Sequence, residues 1–479
     1  VQGVADKSPE RIDAVSGEDE LDSRVYNLYE KREKIFTRRI EGFYQNIRLI
    51  TGWPLLLGYF LLPWLMLDGR PAILFDLPAR QFHILWLTFW PQDFGFLAWG
   101  LVISAFLLFF VTTLLGRVWC GYTCPQTVWT AIFMWAEQVA EGERHQRINL
   151  EQAPWSLQKL AKRSLKHGMW LGFAALTGIT FVGYFYGVRD LLIDALHWQL
   201  PEEGVFWVSM FTLATYVNAG WMREQVCLYM CPYARFQSAM FDKDTLIVSY
   251  DASRGESRGP RKRGVDPATL SMGDCIDCSL CVQVCPTGID IREGLQYECI
   301  NCAYCIDACD SIMDKMGYAK GLISYTTEHQ QEGLGWTWKR PKLLGYGAAV
   351  LVMMSLFAYS LYNRVPLGLD VMRNRGELYQ EVPGGFIRNT YAIKILNMDR
   401  QDHKIQLAVS GLPESNMMPN EIMLVRAGEV YELSVDVLVD PDQLSAVNTT
   451  IEFEVTTADQ QWQAGSESRY LGPAPIGAY

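Results

Sequence analysis

Cys275-Ile-Asp-Cys278-Ser-Leu-Cys281-Val-Gln-Val-Cys285-Pro286, followed by Cys299-Ile-Asn-Cys302-Ala-Tyr-Cys305-Ile-Asp-Ala-Cys309, decides how this chain is read. Thiolates at every third residue wrap one corner of an iron–sulfur cube. In this bacterial ferredoxin spacing the fourth ligand of each cube comes from the other run. The expectation is two [4Fe–4S] clusters, one on Cys275, Cys278, Cys281 and Cys309, the other on Cys299, Cys302, Cys305 and Cys285. A zinc ribbon uses two C-x-x-C pairs for one ion, and eight cysteines in two tetrads do not match it. Cys309 is followed by Asp310 rather than Pro, a departure that bears on potential and removes no ligand.

Around this stretch the composition is membrane-like: of 479 residues 20% are charged, 49% are apolar and 16 are Trp. A net charge of −11 offers no footprint for nucleic acid. All 12 cysteines precede residue 310 and fall in motifs rather than in a disulfide framework, which points to a reducing compartment. Val1 opens a polar stretch, so no signal peptide is expected, although the true start can precede Val1. Residues 1–23 are acidic and read as disordered. Residues 24–48 carry Arg24, Lys31, Arg32, Lys34, Arg38, Arg39 and Arg48, a cytoplasmic flank.

Five uncharged runs reach the ~20 residues needed to span a bilayer: Leu49–Leu67, Phe94–Gly116, Gly168–Val188, Gly204–Met222 and Leu343–Asn363. Loops 117–167 and 223–342 are basic, whereas 68–93 and 189–203 are not. This alternation predicts a cytoplasmic N-terminal tail (1–48), a four-span region (49–222), a cytoplasmic ferredoxin-like insert (223–342), a last span (343–363) and a periplasmic tail (370–479). A sixth run, Val118–Ala136, is separated from the second span by Arg117 alone and reads as re-entrant or interfacial. Phe82–Trp90 is shorter and is expected at the outer interface.

That sixth run opens with Trp119-Cys120-Gly-Tyr122-Thr-Cys124-Pro125-Gln126, and 107 residues later comes Cys227-Leu-Tyr229-Met-Cys231-Pro232. Two C-x-x-x-C-P motifs with Tyr in register look like an internal repeat. Pro suits the first turn of a helix, and a thiol at a helix N-terminus is biased towards thiolate. Four buried packing cysteines are the plain alternative. Soft thiolates favour Cu(I), zinc or iron–sulfur sites; Met134, Met222 and Met230 lie nearby in sequence.

The order of basic tail, spans, W-C-G-Y-x-C-P-Q, second C-x-x-x-C-P, double ferredoxin motif, span and β-rich tail resembles the FixG/RdxA/CcoG family of cbb3-type cytochrome c oxidase accessory proteins over nearly the whole chain. Membrane polyferredoxins of the NapH and NosR kind share the core without this tail. The resemblance implies a bacterial inner-membrane metalloreductase that reduces Cu(II) to Cu(I) for the oxidase. It makes Cys120, Cys124, Cys227 and Cys231 candidate copper or thiol-redox residues beside the two clusters. The implied partners are membrane lipid, oxidase assembly factors or a copper chaperone or transporter, and an unidentified electron donor.

The tail has no cysteine. Tyr391–Asn397, Lys404–Leu412, Ile422–Asp440 and Thr449–Thr457 are rich in Val, Ile, Leu and Thr between turn residues, which predicts an all-β sandwich of Ig-like size. Met398, Met417, Met418, Met423 and His403 are weaker copper candidates there, and His83 and His197 are weaker cofactor candidates. No Gly-rich phosphate loop is present. Two other functions stay open at this point: a subunit carrying quinol electrons to a partner oxidoreductase, and an assembly scaffold with structural clusters.

Overall fold

The computed structural model describes residues 34–473, apart from Asp68, Arg375, Glu377, Arg400, 413–415, 420–421 and Ser445. The acidic 1–23 stretch therefore lies outside the described residues. The helices that position the site are α1 (Phe43–Leu61), α2 (Phe94–Leu115), α3 (Pro125–Glu141), α4 (Leu157–Tyr186), α5 (Glu202–Thr215), α6 (Tyr304–Met316) and α7 (Pro341–Tyr362).

Among the described residues, 4 helical stretches are long and apolar enough to cross a membrane: Phe43–Trp64, Pro91–Leu115, Leu157–Tyr186 and Pro341–Tyr362. The expected fifth span, Gly204–Met222, is not among them. Its α-helical part, α5, has only 14 residues, about 21 Å at 1.5 Å per residue, and the winding then becomes π-helical over Tyr216–Met222. A count of uncharged residues does not register that change. The segment nonetheless lies antiparallel to α4, with the Phe211 ring 4.0 Å from Phe181 and Gly220 against Trp170.

Val118–Ala136 becomes a π-helical turn, Trp119–Thr123, followed by α3. Helix α3 also runs antiparallel to α4. Trp129 donates to Thr177 Oγ1 at 2.9 Å, Trp170 donates to the Phe133 carbonyl at 3.0 Å, and Glu137 faces Lys166. Its C-terminal turn buries an ionic knot: Glu137 receives Arg147 at 3.1 Å and Arg223 at 2.8 Å, while Glu141 receives Lys166 at 2.8 Å. Phe82–Trp90 joins Ile73–Asp76 in a small antiparallel sheet of strands Ile73–Asp76, Gln81–Ile84 and Leu87–Phe89, in the connection between α1 and α2.

The tail folds as two packed antiparallel sheets. One runs in the order Asn416–Met418, Val430–Val439, Ile387–Asn397, Leu367–Arg373; the other Met423–Val425, His403–Ser410, Asn448–Thr457, Gln463–Leu471. The expected strands are present, with Ile422–Asp440 split by a turn at Arg426–Gly428. Alternation places Tyr391, Ile393 and Ile395 of one sheet and Ile451, Phe453 and Val455 of the other inward, all essentially inaccessible. Two hydroxyls tie the sheets reciprocally: Tyr391 donates to the Arg469 carbonyl at 3.0 Å and Tyr470 to the Ile387 carbonyl at 2.6 Å.

Candidate iron–sulfur and thiol centre

The ferredoxin-like region has little regular structure. A two-stranded ribbon, Ile247–Tyr250 against Ile323–Thr326, covers the short helix Leu280–Val284, helix α6 and the loops between them. Loops can wrap so tightly because four non-glycine residues adopt the left-handed conformation: Asp277 (φ 53°) and Ser279 (52°) in the first run, Asn301 (53°) and Ala303 (60°) in the second. They sit at the same two offsets after Cys275 and Cys299. Asp and Asn tolerate this region through local hydrogen bonding, whereas Ser and Ala are strained there.

Two thiol-lined cavities result. The first is lined by Cys275, Cys278, Cys281 and Cys309 with Tyr250, Ile312 and Ile323. The second gathers Cys285, Cys299, Cys302 and Cys305 with Val248 and Ile291, and Cys281 stands on the wall common to both. The division follows from helix geometry. Cys305 and Cys309 lie one turn apart on the same face of α6, so one helix serves both cavities. Burial pushes the Cys302 and Cys309 thiols up to about 12, so ionising them calls for a cationic occupant of the cavity. Sulfur donors on apolar walls match the chemistry of an iron–sulfur cube.

Cys120, Cys124, Cys227 and Cys231 come from distant parts of the chain and converge. Cys120 lies within electrostatic reach of the other three thiols, and Cys227 of Cys124 and Cys231. The two motifs share one backbone. Each first cysteine sits in a π-helical turn, Trp119–Thr123 or Val226–Met230. The N–H of Cys124 returns to the Trp119 carbonyl at 2.8 Å and that of Cys231 to the Val226 carbonyl at 2.9 Å. Each second cysteine then caps a helix that begins with Pro. Gln126 Nε2 stitches the motifs together, donating to the carbonyls of Asn218 at 2.9 Å and Arg223 at 3.1 Å, and the Tyr233 hydroxyl meets Thr112. The bias of a helix N-terminus towards thiolate does not prevail at Cys124: burial pushes that thiol up despite hydrogen bonds from the Thr127 and Gln126 backbone. The paired tyrosines also diverge. Tyr122 is buried and bonded to the Tyr325 hydroxyl at 3.1 Å, whereas Tyr229 is exposed.

The thiol centre abuts the second cavity. Arg117, 7% exposed, donates to the Tyr297 carbonyl and, at 2.9 Å, to the Cys299 carbonyl, and its charge reaches Cys120. Gly121 packs on the second run so closely that a Cβ there would lie 2.8 Å from the Asn301 carbonyl oxygen. In the sequence Arg117 stands out only as the one charge between two apolar runs, and Gly121 only as part of the first motif. On the first cavity's wall, Arg292 pairs with Asp290 and Asp277.

Met230 lies in the second π-helical turn itself and Met222 ends the turn before it, whereas the other candidates stay apart from this centre. His83 is buried against Thr88 and Arg70, and His197 is exposed after the helix Val188–Leu196. Met134 accepts from Thr37 at 3.6 Å. Met417 and Met423 belong to different sheets of the sandwich and pack on its core, and His403 pairs with Asp399 at 2.8 Å. Among the described residues, no three His, Cys, Asp or Glu side chains close to the spacing of a single bound metal ion.

Comparison with known proteins agrees in outline. Residues 222–328 match the model of a 4Fe-4S dicluster domain, 97–138 that of a 4Fe-4S binding domain, and 357–473 that of an "IG-like fold at C-terminal of FixG". The nitrogen fixation protein FixG of Rhizobium meliloti is 38% identical over 81% of this chain and 82% of its own. Proteins RdxB and RdxA of Cereibacter sphaeroides are 39% identical over 81% of this chain and 84% of RdxB, and 40% over 80% and 84% of RdxA. Identity of 38–40% over four-fifths of both chains places the chain in the FixG/RdxA/RdxB family.

Proposed function

We propose that the chain is a membrane-bound electron-transfer protein that reduces Cu(II) to Cu(I) for assembly of a cbb3-type cytochrome c oxidase. Cys275, Cys278, Cys281 and Cys309 would hold one [4Fe–4S] cluster and Cys285, Cys299, Cys302 and Cys305 the other; bound there, the clusters supply single electrons. The observation that carries the reading is the contact between the second cavity and the four-thiol centre through Arg117 and Gly121. Cys120, Cys124, Cys227 and Cys231 then form the end of the route, from which the electron leaves for copper as substrate. Soft sulfur stabilises Cu(I) over Cu(II), which favours copper reduction beside such a centre.

Membership of the FixG/RdxA/RdxB family supports a redox task linked to respiratory-complex assembly. Oxidase assembly factors or a copper chaperone or transporter are the fitting recipients, and the electron donor is a separate component. Basic loops place the ferredoxin-like region in the cytoplasm and the sandwich in the periplasm under this reading.

The test uses anaerobic full-length protein reduced with dithionite and freed of excess reductant. Added Cu(II) is expected to restore the oxidised visible spectrum, with one Cu(I) trapped by a Cu(I)-specific chelator per electron withdrawn. Protein that stays reduced while Cu(II) persists overturns the proposal.

A further inference from the structure

We propose that Cys120, Cys124, Cys227 and Cys231 together bind a third [4Fe–4S] cluster, two ligands from each C-x-x-x-C-P motif. The region matching a 4Fe-4S binding domain, 97–138, contains just two cysteines, Cys120 and Cys124. A cube held by thiolates alone needs four. The fold supplies the missing pair, because Cys227 and Cys231 are brought to the same place by an independent segment with the same backbone.

That duplication is itself informative. π-Helical turns are uncommon and concentrate at functional sites. Here two of them carry the first cysteine of each motif at the same position, and each second cysteine caps the following helix. Packing alone does not call for such a repeat. In each motif the wide winding presents two thiols from one short segment, and Gln126 ties the first motif to Asn218 and Arg223, just ahead of the second.

The four thiols lie near enough to one another to interact electrostatically. Arg117 adds a buried cation between the second cavity and Cys120, which offsets the negative charge of thiolate-bound clusters on either side. The thiol centre then stands beside the second cavity, with Arg117 and Gly121 at the contact.

This proposal stands whether or not copper is the electron acceptor, and its test is separate. Iron and acid-labile sulfide are counted on anaerobically purified full-length protein. About twelve irons per chain are expected. Replacing Cys120 and Cys124 by Ser, or Cys227 and Cys231, should lower the count to about eight while the magnetic coupling between the two ferredoxin clusters persists in EPR. Cys285→Ser should instead disturb that coupling and leave the third cluster's signal. A parent protein with about eight irons overturns the proposal, and that count does not depend on any variant folding. Copper bound to the four thiols alongside eight irons would overturn it as well, while preserving the copper-reduction reading.

Discussion

The ferredoxin-like region and the C-terminal sandwich are neighbours in sequence and opposites in what holds them together. The sandwich buries hydrocarbon: sixteen residues form one continuous core, from Leu367 to Tyr470. In the ferredoxin-like region the main core counts two cysteines among its ten buried members, and two thiol-lined cavities lie beside it. Its two cysteine runs also carry four left-handed non-glycine residues, a local cost that the surrounding structure must offset. One region stores its stability in side-chain packing, the other in ligand bonds that form only when the cofactor arrives.

The comparison predicts its largest effect as an all-or-none difference. A fragment covering 364–473 should fold cooperatively in iron-free medium, as read by circular dichroism and a sharp thermal transition. A fragment covering 243–334 should remain unfolded without iron and sulfide and become protease-resistant on reconstitution. An iron-free ferredoxin fragment that resists protease would break the contrast.

A graded effect follows within the sandwich. Phe453 is fully buried with its ring 4.9 Å from that of Tyr391, so Phe453→Ala should cost about 3–5 kcal/mol. Urea unfolding of the sandwich fragment measures this, and the iron content of the full-length variant should not change. A loss of iron there would mean that the two regions are energetically coupled.

The smallest effect concerns the seam between the ferredoxin-like region and the membrane helices. Asp307 on α6 accepts from the backbone N–H groups of Tyr44 at 3.1 Å and Gln45 at 2.8 Å. It caps α1 from a distant part of the chain, because Gly42 at the N-cap position has no side chain to do so. Asp307→Ala should cost about 1 kcal/mol, the usual worth of a cap. Hydrogen exchange at Tyr44 and Gln45 should accelerate while exchange in the middle of α1 holds. Unchanged exchange at both positions would remove the cap from the account.

Ligand spacing made the ferredoxin tetrads legible in the sequence, because cluster geometry dictates cysteine intervals directly. The sandwich was legible where strands are buried, as in Ile451-Glu-Phe-Glu-Val455. Gln463–Leu471 escaped notice because Gln, Gly, Ser and Glu dominate it, and the edge of a sheet tolerates such residues. The repeat of C-x-x-x-C-P was visible, but not that its halves meet: that depends on α3 and the Tyr216–Met222 turn both lying against α4. Counting apolar residues presumes α-helical winding throughout, and it does not register where the winding becomes π-helical. Asp307 left no trace, since a cap supplied across 263 residues has no local pattern.

That cap also sets an order of events. Helix α1 precedes Asp307 by more than 240 residues and leaves the ribosome long before it. Asp307 lies between Cys305 and Cys309, which face the second and first cavities. The carboxylate can reach Tyr44 and Gln45 only when α6 is wound and seated, and seating α6 means that both cavities have closed around their contents. The N-terminal turn of α1 is therefore completed only after α6 has been seated. Its open end, with unsatisfied N–H groups beside the basic segment, would persist in any chain that iron delivery has missed, giving cellular quality control a feature by which to tell loaded protein from empty.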